Sequence, residues 1–366
     1  KKLALYLPSN VSTFLRIATN VDGNLFAHYN NDYKVKFLPN TQFNKLEFKK
    51  IKLNFLKKDF LHNYPFAIEV FDQNLLIGNK EGELYYKSIN DLEDKKKIFT
   101  QIDTNLDIIE SGNKFLDNPE IYINENNIYM LLATEINNCR EIKLYNGLVN
   151  LEKINFELLY STKKTNECLD KKNNAGRIQS IIINNEKHIL ISIGSNVKKI
   201  KNITDKKNAG LLILINENTK NSEVYAKGLR SVLGLYVDEE VVLATDNGPK
   251  GGDEINKIIR NKHYGWPIAS YGEPYDNNKE KSIYKKDHAS NGFEEPIYSF
   301  VYALGIAEII KLPNTFSKVW TDNFLVSTLN GKHLLRIKFD KDYNKIIYNE
   351  KIFIGERIRD LKYDTK

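Results

Sequence analysis

From about residue 65 onward, apolar residues come in short runs, β-branched or aromatic, each closed by Asn, Asp, Gly or Lys: 66–71, 74–78, 83–86, 120–123, 127–132, 178–183, 189–193 and 210–215. Such runs fit a pleated, half-buried strand better than a helix, which needs a sustained period near 3.6. Asp72-Gln73-Asn74-Leu75, Asn184-Asn185-Glu186-Lys187 and Asp238-Glu239 read as tight turns between them, because Asn and Asp tolerate left-handed backbone. The spacing, about 8 to 14 residues, suits successive antiparallel hairpins rather than strand–helix–strand units. No helix-period stretch of convincing length interrupts them. The pattern predicts an all-β chain whose strand–turn–strand units recur loosely, as divergent propeller blades do. Residues 19–26 read as a hairpin and 45–56 alternate weakly under high positive charge. Residues 1–62 are therefore expected either to supply strands that close the ring or to form an extension, with the propeller over 63–366.

Composition changes this picture little. At 366 residues the chain exceeds the usual single-core size, and a propeller escapes that limit by repeating small sheets around an axis. The formal charge of +7, from 54 basic against 47 acidic residues, is spread along the chain and does not gather into an aromatic-interleaved stripe. A nucleic-acid partner is not expected. With 41% hydrophobic residues the chain has enough apolar surface to fold. No run approaches the roughly 18 apolar residues of a membrane span. The chain does not begin with Met, so the lack of a leader or anchor here leaves its compartment open. Cys139 and Cys168, the only cysteines, would close a loop of about 30 residues if bonded, or stand as unrelated thiols. The six histidines show no metal-ligand spacing. Neither a nucleophile elbow, a phosphate-cradling glycine loop nor a Rossmann fingerprint is present.

Chemistry concentrates in residues 246–267, where Gly248-Pro249 and Gly251-Gly252 force a sharp path beside Asp253-Glu254, and Trp266 is one of only two tryptophans. Such a path leaves carbonyl oxygens unpaired next to negative charge, an oxygen-rich corner that suits a hard cation such as calcium. The stretch Gly248-Pro249, Asp253-Glu254-Ile255-Asn256, Tyr264-Gly265-Trp266-Pro267 resembles the signature of the soluble quinoprotein glucose/sorbosone dehydrogenase family. The likeness extends to Asn173-Asn-Ala-Gly-Arg-Ile178, Ile193-Gly194-Ser195, Gly228-Leu-Arg-Ser231, residues 320–329 and Arg357-Ile-Arg-Asp360, covering roughly 65 to 366.

The resemblance implies a six-bladed β-propeller with pyrroloquinoline quinone (PQQ) and calcium at the channel mouth. It places Arg230, Arg357 and Arg359 on the cofactor's carboxylates, which planar guanidinium forks suit. It places the Gly248 and Pro249 carbonyls on calcium, where side-chain identity does not matter. Asp253 and Glu254 are expected to brace the loop. A sugar or related alcohol is the implied substrate, and a periplasmic or extracellular location the implied setting, with an anchor upstream of Lys1 left open.

The departures are as informative. Asn173 occupies the position of the family's general-base histidine, and Ser195 that of the aspartate that orients it. An amide takes no proton, and losing a positioned base forfeits about 10²- to 10⁴-fold in rate. Asn330 stands for the family's lysine, with Lys332 on the same face if that segment is a strand, and Ser231 replaces the asparagine after the arginine. Two readings follow. One is a quinone- and calcium-dependent oxidoreductase; the other is a catalytically inactive propeller that binds a glycan or a protein.

Overall fold

The computed structural model describes residues 46, 48–51, 66–79, 81–106, 114–115, 119–136, 139–162, 175–195, 210–239, 241–275 and 284–364. These form five sheets, antiparallel apart from one short parallel pairing. The first holds β1 (Ala67–Phe71), β2 (Asn74–Gly78), β3 (Leu84–Ser88) and β4 (Thr100–Thr104). The second is built on β5 (Lys114–Phe115), β6 (Glu120–Asn124), β7 (Asn127–Ile136) and β8 (Cys139–Leu148), and gains β10 (Glu157–Ser161) at its outer edge. Between β8 and β10 the chain detours to the first sheet, where β9 (Lys153–Ile154) pairs in parallel with β4, Asp103 opposite Lys153 and Thr104 opposite Ile154. The third sheet is β11 (Ala175–Ile183), β12 (Glu186–Ile193), β13 (Leu211–Asn216) and β14 (Ser222–Lys227). The fourth is β15 (Val232–Val237), β16 (Val242–Asp246), β17 (Asp253–Lys257) and β18 (Tyr298–Phe300). The fifth is β19 (Ile306–Lys311), β20 (Asn323–Thr328), β21 (His333–Phe339) and β22 (Ile346–Phe353).

The leading strands β1, β6, β11, β15 and β19 pack side by side in that order, so the sheets are blades around an axis. Middle strands are covered on both faces, by neighbouring blades or, in the fifth blade, by single segments of chain: β13, β16 and β20 are buried at every position. β13 accordingly reads as a nearly unbroken apolar run, whereas the outermost β22 alternates half-buried and exposed residues over most of its length. Two predicted turns are two-residue hairpins with positive φ at both central residues, Asp72-Gln73 at 45° and 60° and Asn184-Asn185 at 52° and 62°.

The six blades implied by the resemblance are not what is found: among the described residues the strands make five. Sequential blades enclose apolar clusters, such as Leu131, Ile142, Ile191 and Ile213 between the second and third. On the free face of the fifth blade, Leu312, Trp320, Leu325 and Leu334 are instead covered by Leu46, Phe48, Ile358 and Leu361. Single segments of chain thus satisfy the apolar surface that a sixth sheet would have covered. The strands expected within 1–62 fall almost wholly outside the described residues, as does Cys168.

Blades four and five approach closely at Gly234. A Cβ there would meet the Ala307 carbonyl at 2.4 Å, Thr245 Oγ1 at 2.7 Å and the Ile309 amide at 2.8 Å, and Thr245 Oγ1 donates to that same Ala307 carbonyl at 2.5 Å. We expect Gly234→Ala to destabilise the fold by about 1–3 kcal/mol, read from the shift in urea midpoint, because backbone and not a pliable side chain must move.

Candidate functional site

The loop leaving β16 is organised by two buried carboxylates. Asp246 accepts the backbone N–H groups of Arg230 at 2.7 Å and Ser231 at 2.5 Å, while the Asn247 N–H donates to the Ser231 carbonyl at 2.9 Å. Asp253 accepts from the Gly248 N–H at 3.0 Å and from Ile306 N–H at 3.2 Å, tying the loop to the start of β19. Asp253 thus braces the corner as the sequence suggests. Gly248 is required by close approach, since a Cβ would meet the Gly252 carbonyl at 2.3 Å. Burial pushes Asp246 up to about 6, against the pull of the two N–H groups, and also raises Asp253.

Arg230 turns its Nη1 to the Asn247 carbonyl at 2.5 Å, and its guanidinium lies 5.5 Å from the Trp266 ring and 6.0 Å from that of Tyr275. The Tyr275 hydroxyl donates to the Pro249 carbonyl at 2.9 Å. Ser195 is buried and acts through its backbone: its N–H donates to the Arg230 carbonyl at 2.6 Å, and its own carbonyl accepts from Trp266 Nε1 at 2.8 Å. Ser195, Arg230, Ser231, Gly248 and Pro249 therefore form one connected group. Behind them lies a water-sized cavity lined by Arg230, Asp246, Glu254, Trp266 and His288. Glu254 does not brace the backbone; its Oε1 is 3.8 Å from His288 Nε2, and neither ring nitrogen of that buried histidine has a hydrogen-bond partner. Burial raises Glu254 well above the usual carboxylate range, Asp246 adding to it, and lowers His288.

The remaining predicted residues make a second group. Asn330 is exposed and its Nδ2 donates to the Ala303 carbonyl at 2.8 Å. Lys332 does not lie on a strand: it is an exposed turn residue with φ 55°, so strand alternation does not put it on the face of Asn330. Its carbonyl accepts from Ile354 and Gly355, and Ile358 N–H donates to the Thr328 carbonyl at 3.1 Å, which lays residues 354–358 against this turn. Arg357 is exposed. Arg359 is half-buried, and burial together with Arg177 and Arg357 lowers its pKa. The loop 300–304 joins the two groups, for Phe300 accepts from Gly252 N–H at 2.8 Å and Leu304 from Asn330 N–H at 2.8 Å. Asn173 lies outside the described residues. Among the described residues no group of three or more His, Cys, Asp or Glu side chains is placed to hold a metal ion, so a cation here would rely on carbonyl oxygens.

Sequence reasoning missed Tyr275, although it follows Trp266-Pro267 by only eight positions. It also missed the axial charges. Arg177 Nη1 lies 2.6 Å from Glu120, 3.2 Å from Glu308 and 3.3 Å from Asp360, its Nε donates to the Leu233 carbonyl at 2.6 Å, and Nη2 to that of Arg359 at 3.0 Å. Glu120, Arg177 and Glu308 each set a charge among the apolar residues of a leading strand, a usable signal of an axial position.

The family model for glucose/sorbosone dehydrogenases matches residues 62–366. The chain belongs to that family. Over 152 residues, 40% of each chain, it is 25% identical to the aldose sugar dehydrogenase YliI of Escherichia coli. Over 142 residues it is 32% identical to quinoprotein glucose dehydrogenase B of Acinetobacter calcoaceticus, 36% of this chain and 26% of that one. The matched segments thus span less than half the length of these relatives. In three dimensions this glucose/sorbosone dehydrogenase family member resembles a crystal structure of a glucose dehydrogenase, with TM-score 0.64 and 20% identity over 81% of this chain and 89% of that one. The apo-form of the soluble aldose sugar dehydrogenase from E. coli gives 0.63 and 17% over 85% and 92%. These likenesses establish the fold. Among the described residues no helix is long and apolar enough to cross a membrane.

Proposed function

We propose that this chain binds PQQ and calcium at the mouth of the propeller and oxidises an aldose or related alcohol slowly. The observation that supports the reading is the corner around Arg230: its Nη1 reaches the Asn247 carbonyl and its guanidinium lies over Trp266, beside the Gly248–Pro249 carbonyls, so a planar tricarboxylate would meet a guanidinium fork and carbonyl oxygens together. The donor set fits. Arg230, Arg357 and Arg359 would hold the carboxylates, with Ser231, Asn330 and Lys332 bordering them. The Gly248 and Pro249 carbonyls would face calcium; Pro249 retains a lone pair beyond the one used by Tyr275. When bound, the quinone supplies the two-electron acceptor. The chain's own part is to orient substrate and take the proton, and Asn173 and Ser195 leave that second task without an imidazole or a carboxylate at the family positions.

That loss favours the second reading, a catalytically inactive member that recognises a glycan or a protein. Tyr275 at 60% exposure and Tyr302 at 79% give the mouth aromatic surface for either role. On both readings the family implies a periplasmic or extracellular setting.

A calorimetric titration of the protein with PQQ, with and without calcium, tests the proposal. We expect calcium-dependent binding that Arg230→Ala weakens about 10- to 100-fold, the worth of a charge-assisted hydrogen bond. Absence of binding in the unmodified protein would leave the recognition propeller.

A further inference from the structure

The axial ion cluster draws on every blade. Glu69 comes from β1, Glu120 from β6, Arg177 from β11 and Glu308 from β19, while β15 contributes the Leu233 carbonyl. The closing segment 357–363 brings Asp360, which accepts from Ile68 N–H at 3.2 Å, and Lys362, 3.1 Å from Glu69. Arg359 offers its carbonyl to Arg177 and its charge to the same region. Tyr122 of β6 faces the Lys362–Glu69 pair. The side chains of Glu120, Arg177, Glu308 and Asp360 are each 7% exposed or less.

Charges do not balance there. Arg177, Arg359 and Lys362 oppose four carboxylates, Glu69, Glu120, Glu308 and Asp360. Moreover, Glu308 Oε2 and Asp360 Oδ1 meet the same Arg177 Nη1 at 3.2 and 3.3 Å, which crowds two buried carboxyl groups onto one cation. We propose that one proton, donated by Glu308 to Asp360, is the keeper of this cluster, and that its loss releases the 357–363 segment from the axis. The proton is held because burial opposes ionisation: Glu120 is pushed up to about 8 and Glu308 to about 7, Arg177 pulling against this and the neighbouring carboxylates adding to it. Burial pushes Asp360 up, but Arg177, Lys362 and the hydrogen bonds it accepts together more than offset this and lower it, so it remains the acceptor.

The sign follows from linkage. Carboxyls raised in the folded state lend stability that is complete below their ordinary range and is lost as pH rises through about 7 to 8. The segment that departs carries Arg357 and Arg359, so opening would also dismantle the arginine clamp; this last consequence rests on the proposed function, the latch itself does not.

Hydrogen exchange of peptides covering 355–363, in protein without quinone or metal and corrected for the intrinsic base-catalysed rate, reads the latch directly. From pH 5 to 8 the opening equilibrium should rise by up to about tenfold per pH unit for the one proton released. In Glu308→Gln, whose amide donates permanently to Asp360 and still accepts from Arg177, the part of that rise due to Glu308 should be lost, leaving at most the smaller dependence that Glu120 contributes. A wild-type profile without pH dependence, or one unchanged by Glu308→Gln, overturns the proposal. Should that variant not fold, infrared spectroscopy of the wild type decides: the carbonyl stretch of a buried carboxylic acid must persist at neutral pH, and its absence is equally fatal.

Discussion

Arg177→Met is expected to destabilise the folded chain by about 3–5 kcal/mol at neutral pH, among the largest effects a single substitution can have here. Methionine matches much of the volume but none of the charge, so Glu120, Glu308 and Asp360 are left buried beside one another, and the Leu233 and Arg359 carbonyls lose their donor. The penalty reflects stranded carboxylates rather than the net worth of the ion pairs. It should therefore shrink as pH falls and the carboxylates protonate, and adding Glu120→Gln and Glu308→Gln should recover part of it at neutral pH. Urea unfolding of the three proteins at pH 5 and pH 7.5 measures this. A loss that is independent of pH would mean that packing, not charge, makes Arg177 important.

The second large effect concerns turnover. Supplied with PQQ and calcium, the unmodified protein should oxidise aldoses slowly or not at all, and Asn173→His combined with Ser195→Asp should raise the rate by about 10²-fold or more, because a positioned imidazole restores a base and a carboxylate orients it. Ser195 is buried and its backbone is already engaged by Arg230 and Trp266, so the aspartate would be introduced without removing either hydrogen bond. Alone, Ser195→Asp buries an unpaired charge and should lower stability with no gain in rate. Steady-state dye reduction over a panel of sugars, run with the cofactor titration described above, separates the outcomes. Robust turnover by the unmodified protein would place the base elsewhere in the chain. Binding without any gain in the double variant would show that geometry beyond these two positions has been lost.

Much of the architecture was legible in sequence because blades are assembled from local hairpins. Asp72-Gln73 and Asn184-Asn185 specify their turns through left-handed backbone tolerance, and the predominantly apolar runs at 189–193 and 210–215 announce strands covered on both faces. Blade number was not legible, because closure depends on which surfaces meet and not on how many strands exist. Ile358 and Leu361 look like an unremarkable tail until they are seen covering Leu325 and Leu334. The loop at Asp246–Asp253 announced itself through its glycines and acids, yet not the division of labour between Asp253, which takes backbone N–H groups, and Glu254, which faces a histidine. Lys332 was misplaced because alternation was applied across a turn. The axial cluster was least accessible: Glu120, Arg177, Glu308 and Asp360 are far apart in the chain, and no local rule pairs them.

The parallel strand Lys153–Ile154 has a consequence for how the protein behaves among copies of itself. β4 is the outermost strand of its blade, and an uncovered outer strand offers a row of free N–H and C=O groups on which another chain can extend the sheet. By spending two residues of the neighbouring blade's connection on Asp103 and Thr104, with a further bond from Asp103 N–H to the Glu152 carbonyl at 3.0 Å, the chain covers this edge with its own backbone. Substituting proline for Lys153 would remove that cover without touching the axis, and self-association during refolding is the behaviour it guards against.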